Sequence, residues 1–284
     1  MSQRPAGDAT FAGSVPAVYQ SLLGPMLFEP YAADLVMRLA ARPPERLLEI
    51  AAGTGIVTRA MAAGLPASTA ITATDLNPGM MATARALGTA RPVTWREADA
   101  LHLPFADRAF DAVVCQYGVM FYPDRAAGHR EAWRVLETGG TYLFNVWDRL
   151  EENEFPAVVM EALAGVYPDD PPQFMRRTPH GYFDPELIRS DLAAGGFAEA
   201  RIEPLSFHAR ANSALEVARA FCTGTPMLME IEARGASRLE EAVAASERKL
   251  VERFGTGPIE GKIAALVVRA EKNESRPGSL SGKS

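Results

Sequence analysis

The chain has 284 residues, 48% of them hydrophobic and 23% charged, with a formal net charge of −6. That length suits one large domain, or a domain with a cap, and the acidic balance argues against a nucleic-acid or anionic-membrane partner. No stretch reaches the roughly 18 uninterrupted apolar residues of a membrane span, MSQRPAGDATFAG lacks the apolar centre of a secretory signal, and Cys115 and Cys222 form neither a disulfide framework nor a metal-binding pair, so the default reading is a soluble cytoplasmic protein with no metal site.

Residues 1–15 are polar and read as loose. Val18–Leu23 and Tyr31–Ala41 have helical spacing, and Pro25 and Pro30 are expected to break the path between them. Pro43-Pro44 then lead into a strand at Leu47–Ile50, followed by Gly53-Thr54-Gly55 and a helix over Val57–Ala63. Ala70–Leu76 reads as a second strand ending in Asp75, and Asn77-Pro78 is the N-cap and first position of the next helix. A third strand, Val93–Glu97, ends near Asp99, and a fourth runs from Asp111 to Gln116. Cys115 within it reads as an inert core thiol. His129 falls on a helix read as exposed, and the turn Glu137–Gly140 precedes a fifth strand, Thr141–Trp147. Helices are expected at Asn153–Val166, Pro185–Ala194, Ala214–Cys222 and Leu239–Phe254, and strands at Ala200–Ala209 and Ile263–Ala270. The Gly/Ser-rich tail is expected to be disordered.

Strands alternating with helices over about a hundred residues imply a parallel, doubly wound α/β sheet. Such sheets bind ligands at the carboxyl ends of their strands. Glu49, Asp75, Asp99 and Gln116 fall at four such ends and so converge on one crevice.

The stretch LLEIAAGTGIVTRAM has the bend of a dinucleotide turn without its G-x-G-x-x-G glycines, because Ala51 and Ile56 replace the first and last. Asp75 follows Gly55 by 20 residues, a spacing that suits a carboxylate on two ribose hydroxyls. The turn carries no P-loop lysine, which argues against a triphosphate. Glu49 would repel a pyrophosphate and attract an ammonium. A nucleoside with a cationic amino-acid tail satisfies these conditions, and S-adenosylmethionine is the candidate.

The segments LLEIAAGTG, ATDLNPGMMATAR, READALHLPFADRAFDAVVCQYGVMFYPD and EAWRVLETGGTYLF, spread over about residues 46–147, resemble the class I S-adenosylmethionine-dependent methyltransferases. More narrowly they are similar to the small-molecule branch that includes the ubiquinone and menaquinone biosynthesis enzymes. The resemblance implies a Rossmann-like seven-stranded sheet with an antiparallel last strand and helical cap elements. It implies that Glu49 lies near the methionine amino group and that Ala51, Gly53 and Gly55 form the turn beneath the methionine part and ribose. It also implies that Asp75 takes the ribose, Leu76 and Met80 adjoin adenine, and Asp99 and Ala100 address the adenine edge. Gln116 and Tyr117 follow the fourth strand toward the methionine end, and Tyr19 belongs to a helix folded over the cofactor. Alanine at 51, where the family prefers glycine, fits a negative φ.

His180 is the candidate catalytic residue, able to accept a phenolic proton or bind an acceptor oxygen; an ordinary loop histidine is the alternative. Tyr117, Met120, Phe121, Phe174, Met175, Tyr182 and Phe183 suggest a hydrophobic or aromatic acceptor, and the resemblance implies a quinone-like one methylated on oxygen or carbon. The expected organisation is covering helices in 1–45, a cofactor core in 46–148, a cap in 149–184, the rest of the sheet with a helical insertion in 185–272, and a tail in 273–284. A monomer or homodimer is expected. The competing readings are a cofactor-binding protein without catalysis and a nicotinamide-dependent oxidoreductase.

Overall fold

The computed structural model describes Asp8, Gly13 and residues 15–273; the expected tail lies, after Asn273, outside the described residues, as does most of the segment before Val15. Helix α1 (Val15–Val18), a π-helical stretch (Tyr19–Phe28) and α2 (Glu29–Ala40) follow one another without interruption, so Pro25 and Pro30 do not break the path. Pro30 stands in the first turn of α2, where no N–H is required. Pro25 sits inside the widened π turns, the local adjustment that accommodates a kink.

The core then alternates as the sequence predicts. It runs β1 (Arg46–Glu49), α3 (Ile56–Gly64), β2 (Ala70–Asp75), α4 (Pro78–Leu87), β3 (Thr94–Glu97), β4 (Phe110–Gln116), α5 (Arg125–Val135) and β5 (Leu136–Trp147). After it come α6 (Glu154–Val166), α7 (Phe174–Arg177), α8 (Pro185–Ala194), β6 (Ala200–Ala211), α9 (Ala214–Thr223), α10 (Met227–Ala233), α11 (Leu239–Phe254) and β7 (Ile259–Glu271). The seven strands form one sheet in the order β3-β2-β1-β4-β5-β7-β6. β1 pairs in parallel with both β2 and β4, while β7 runs antiparallel to β5 and β6.

β1 is central, and Leu47 and Leu48 are fully buried, as a strand covered on both faces requires. The expected turn Glu137–Gly140 is absorbed into a longer β5 as an irregularity: the register with β4 shifts between Phe110 and Ala112, and Gly139 at φ 79° donates to the Lys272 carbonyl at 2.8 Å. The Tyr31 hydroxyl lies 3.2 Å from the Leu205 carbonyl and 3.1 Å from that of Ile263, which ties α2 to the antiparallel end of the sheet.

His129 is fully buried, not exposed. Its face of α5 packs against the rings of Tyr142 and Phe144 and against Gly195, so the apolar environment outweighs its polarity. Neither ring nitrogen has a hydrogen-bond partner among the described residues, and burial pushes its pKa down to about 3.

Candidate functional site

The site begins where β1 and β4 end. The Ile50 amide donates to Val114 at 2.8 Å and the Ala52 amide to Thr74 at 2.9 Å, so the neighbouring strands hold the chain on both sides of Ala51. Between these fixed points Ala51 takes φ 56°, with Gly53 at 57° and Gly55 at 78°. The negative φ expected at Ala51 is therefore incorrect: the turn demands a left-handed residue, at a cost of roughly 1–2 kcal/mol for alanine. Across from it Tyr117 takes φ 53°, its amide 3.1 Å from both the carbonyl and the Oδ1 of Asn145. A Cβ on Gly118 would lie 2.6 Å from the Ala51 Cβ and from the Cys115 Sγ, so the two strand ends approach as closely as glycine permits. Strained non-glycine residues of this kind concentrate at ligand sites.

Glu49 is buried and accepts a hydrogen bond from the Thr58 hydroxyl. Burial pushes its carboxyl up to about 8, partly opposed by Thr58 and by the Arg59 charge. It lines a small cavity with Thr54 and Gln116. The Gln116 amide nitrogen donates to the Phe28 carbonyl at 3.2 Å, while Gln116 Oε1 and Thr54 Oγ1 are buried with no partner among the described residues. A carboxyl and two unpaired oxygens around one small space form a site for a group with several N–H donors and a positive charge.

Beside it lies a wider crevice lined by Tyr19, Ala51, Asp75, Leu76, Met80, Asp99, Ala100, Gln116 and Tyr117, among others. The Asp75 carboxylate is fixed by the Gly53 and Asn77 amides, each 2.7 Å away. Burial raises its pKa and those two bonds oppose the rise. Gly53 must be left-handed to present that amide, and an added Cβ there would come 3.6 Å from the Met80 Cε. Leu76 is 62% exposed, a large apolar side chain at the crevice without protein cover. Asp99 closes a turn by accepting from the Leu101 amide at 2.9 Å and also lines the crevice.

Tyr19, Tyr117 and Phe121 are shared with a third, apolar cavity roofed by the π-helical stretch, α7 and the residues between α9 and α10. Phe28, Trp147 and Phe174 also line it, and Tyr117 stacks on Trp147 with centroids 3.9 Å apart. His180 lines it too, with Nδ1 2.8 Å from the Asp148 carbonyl. Burial lowers its pKa to about 4.

The structure therefore gathers Tyr19, Glu49, Ala51, Asp75, Leu76, Met80, Asp99, Ala100, Gln116 and Tyr117 around two adjoining cavities and puts His180 in the third. Gly53 contributes its amide to Asp75, and Gly55 is the left-handed residue before α3, where a Cβ would lie 3.0 Å from that of Ala84. Sequence reading missed Thr54 and Phe28. Thr54 stands inside the glycine turn, where its hydroxyl was the available signal; Phe28 carries no motif and reaches the site only through the π-helical path. Among the described residues no three His, Cys, Asp or Glu side chains cluster as metal ligands, and no helix is long and apolar enough to cross a membrane.

A doubly wound sheet with a crevice at the carboxyl ends of its strands, an oxygen-lined pocket at the first turn and an adjoining apolar chamber matches the architecture of class I S-adenosylmethionine-dependent enzymes. Residues 48–144 match the methyltransferase-domain family. The demethylmenaquinone methyltransferase of Thermus thermophilus is 32% identical over 187 residues, covering 62% of this chain and 83% of that protein. That of Corynebacterium urealyticum is 38% identical over 130 residues, covering 46% of this chain and 50% of that protein. Among solved structures, the phosphoethanolamine N-methyltransferase 2 of Haemonchus contortus, bound to phosphomonomethylethanolamine and S-adenosylhomocysteine, superposes with a TM-score of 0.57 at 16% identity, covering 91% of this chain and 57% of that one. A [4+2]-cyclase superposes at 0.54 and 20% identity, covering 91% and 93%, so the fold by itself does not fix the reaction. The chain belongs to the class I S-adenosylmethionine-dependent methyltransferases. It is an enzyme that uses S-adenosylmethionine as methyl donor.

Proposed function

We propose that this methyltransferase acts on a neutral, apolar small molecule held in the chamber beside Tyr117 and Trp147. The cavity of Glu49, Thr54 and Gln116 is the observation that carries the cofactor assignment, because its three oxygens match the three N–H donors of the methionine ammonium. Asp75 accepts from the ribose hydroxyls on the lone pairs that Gly53 and Asn77 leave open. Leu76 and Met80 pack on adenine, and Asp99 and Ala100 meet its edge. Ala51 and Gly55 shape the turn under the ligand, and Tyr19 covers it.

When bound, S-adenosylmethionine supplies an activated methyl group on a neutral leaving sulfur. The residues shared by crevice and chamber, Tyr19, Tyr117 and Phe121, align acceptor with donor and exclude water from the line between them. Among the described residues no Asp, Glu, Lys or Arg lines the chamber, which favours an uncharged acceptor. The demethylmenaquinone methyltransferases among the relatives support an aromatic or quinone-like acceptor, methylated on oxygen or carbon. On this reading residues 46–148 form the cofactor core, and 1–45 and 149–184 cover it, with 185–272 completing the sheet and its helical insertion. The enzyme works as a cytoplasmic monomer or homodimer. Incubation with methyl-labelled cofactor and a panel of phenols, hydroquinones, amines and carboxylic acids tests the proposal. Label is expected in the neutral aromatics; transfer confined to the charged acceptors would overturn it.

A further inference from the structure

Besides the hydroxyls of Tyr19 and Tyr117 and the indole of Trp147, the polar side chains lining the chamber are Asn153, Thr225 and His180, and the bonds these three already make separate them. The Asn153 amide nitrogen donates to the Arg149 and Ala264 carbonyls at 3.1 and 3.2 Å, and its oxygen accepts from the Ala264 amide at 2.9 Å. The Thr225 hydroxyl donates to Phe221 at 2.9 Å and accepts from the Met227 amide at 3.2 Å. These two side chains are occupied in holding the walls.

His180 is different. A backbone carbonyl can only accept, so Nδ1 carries the proton in its bond to Asp148. The charges nearest the ring belong to Arg176 and Glu151, which neutralise each other at 2.7 Å on the outer side. Burial in an apolar wall keeps the ring neutral across the physiological range. A neutral imidazole with Nδ1 protonated presents Nε2 as a lone pair, an acceptor that wants a donor.

We propose that His180 sets acceptor specificity: through Nε2 it accepts a hydrogen bond from a hydroxyl on a planar, uncharged acceptor, so the chamber selects hydroxylated aromatics over their ethers and over charged analogues. This deepens the reading above and rests on the chamber being the acceptor site. Held by its bond to Asp148, His180 orients and polarises the hydroxyl. An ether leaves Nε2 desolvated and unpaired, and a carboxylate brings an unpaired charge into an apolar wall.

The test uses the enzyme saturated with S-adenosylhomocysteine and three probes, 1-naphthol, 1-methoxynaphthalene and 1-naphthoate, with affinities measured by calorimetry. Naphthol is expected to bind about tenfold or more tightly than either analogue, the worth of one buried hydrogen bond. That preference should stay level between pH 6 and 8, since the ring does not titrate there. His180→Phe should erase the preference over the ether, and His180→Gln, which restores an acceptor oxygen, should return part of it. Equal binding of naphthol and its methyl ether by the unaltered enzyme overturns the proposal without need of any variant, as does a preference over the ether that survives in His180→Phe. Binding of S-adenosylhomocysteine is measured first. Its failure would count against the cofactor site itself, whereas intact cofactor binding with an indifferent chamber would count against His180 alone.

Discussion

Glu49 makes cofactor binding a proton-releasing event. Burial in the free protein pushes its carboxyl up to about 8, with a threonine hydroxyl for a partner and, among the described residues, no cation in contact. The bound ammonium stabilises the carboxylate and must pull that value down. The sign follows: below pH 8 the free enzyme is protonated at Glu49, and binding has to expel that proton, so affinity rises with pH. Each unit below 8 costs about tenfold in affinity, about 1.4 kcal/mol, so binding at pH 6 is about a hundredfold weaker than the plateau. The cofactor's own α-amino group, with an ordinary pKa of about 7.7–8.0, loses its charge above that range, so affinity peaks near pH 8. Calorimetry with S-adenosylmethionine in two buffers of different ionisation enthalpy at pH 6.5 should count about one proton released per cofactor bound. Glu49→Gln should abolish both the slope and the release, and this separates Glu49 from Asp75, whose carboxyl burial also raises. Affinity that is flat from pH 6 to 7.5 in the unaltered enzyme, with no proton released, would refute the reasoning.

Asp75→Ala should weaken cofactor binding by about 1–3 kcal/mol through lost charge-assisted hydrogen bonds, with the fold intact by circular dichroism; unchanged affinity would count against the ribose assignment. Gly118→Ala should cost about 1–3 kcal/mol in urea denaturation because its Cβ meets Ala51 and Cys115. Adding Ala51→Gly should recover part of that loss, since it removes one of the two clashes and a left-handed alanine together. His129→Phe should stabilise the protein by about 1–3 kcal/mol at pH 7, because it removes two buried nitrogens that have no partner. Its advantage should grow as pH falls below about 6.5, where the unfolded histidine takes a proton that the folded one, near 3, refuses. Parallel denaturation curves at pH 7 and pH 5 check the sign.

The cofactor side was legible because its chemistry is local in the chain. Glu49, Gly53 and Gly55 lie within one turn, and Asp75 ends the adjacent strand, so spacing alone brings them together. The parallel, doubly wound core was legible for the same reason, since alternating strands and helices leave few topologies. The backbone sign at Ala51 was not, because it is imposed by amides pinned to β2 and β4, strands that are distant in sequence. His129 misled because helical spacing does not say which side a neighbouring helix covers; α8 and Gly195 close over it from more than fifty residues away. The chamber was legible only as a list of apolar and aromatic residues, of which Tyr182 and Phe183 do not line it. Its walls come from the π-helical stretch, β5, α7 and α9, and no motif links them.

A crystal structure of the enzyme with S-adenosylhomocysteine tests the account most directly. It should place the ribose hydroxyls within hydrogen-bond distance of the Asp75 carboxylate, the ammonium among Glu49, Thr54 and Gln116, and the sulfur facing the Tyr117–Trp147 chamber. A ligand whose amino group lies away from Glu49, or whose sulfur faces bulk solvent and not the chamber, would contradict it.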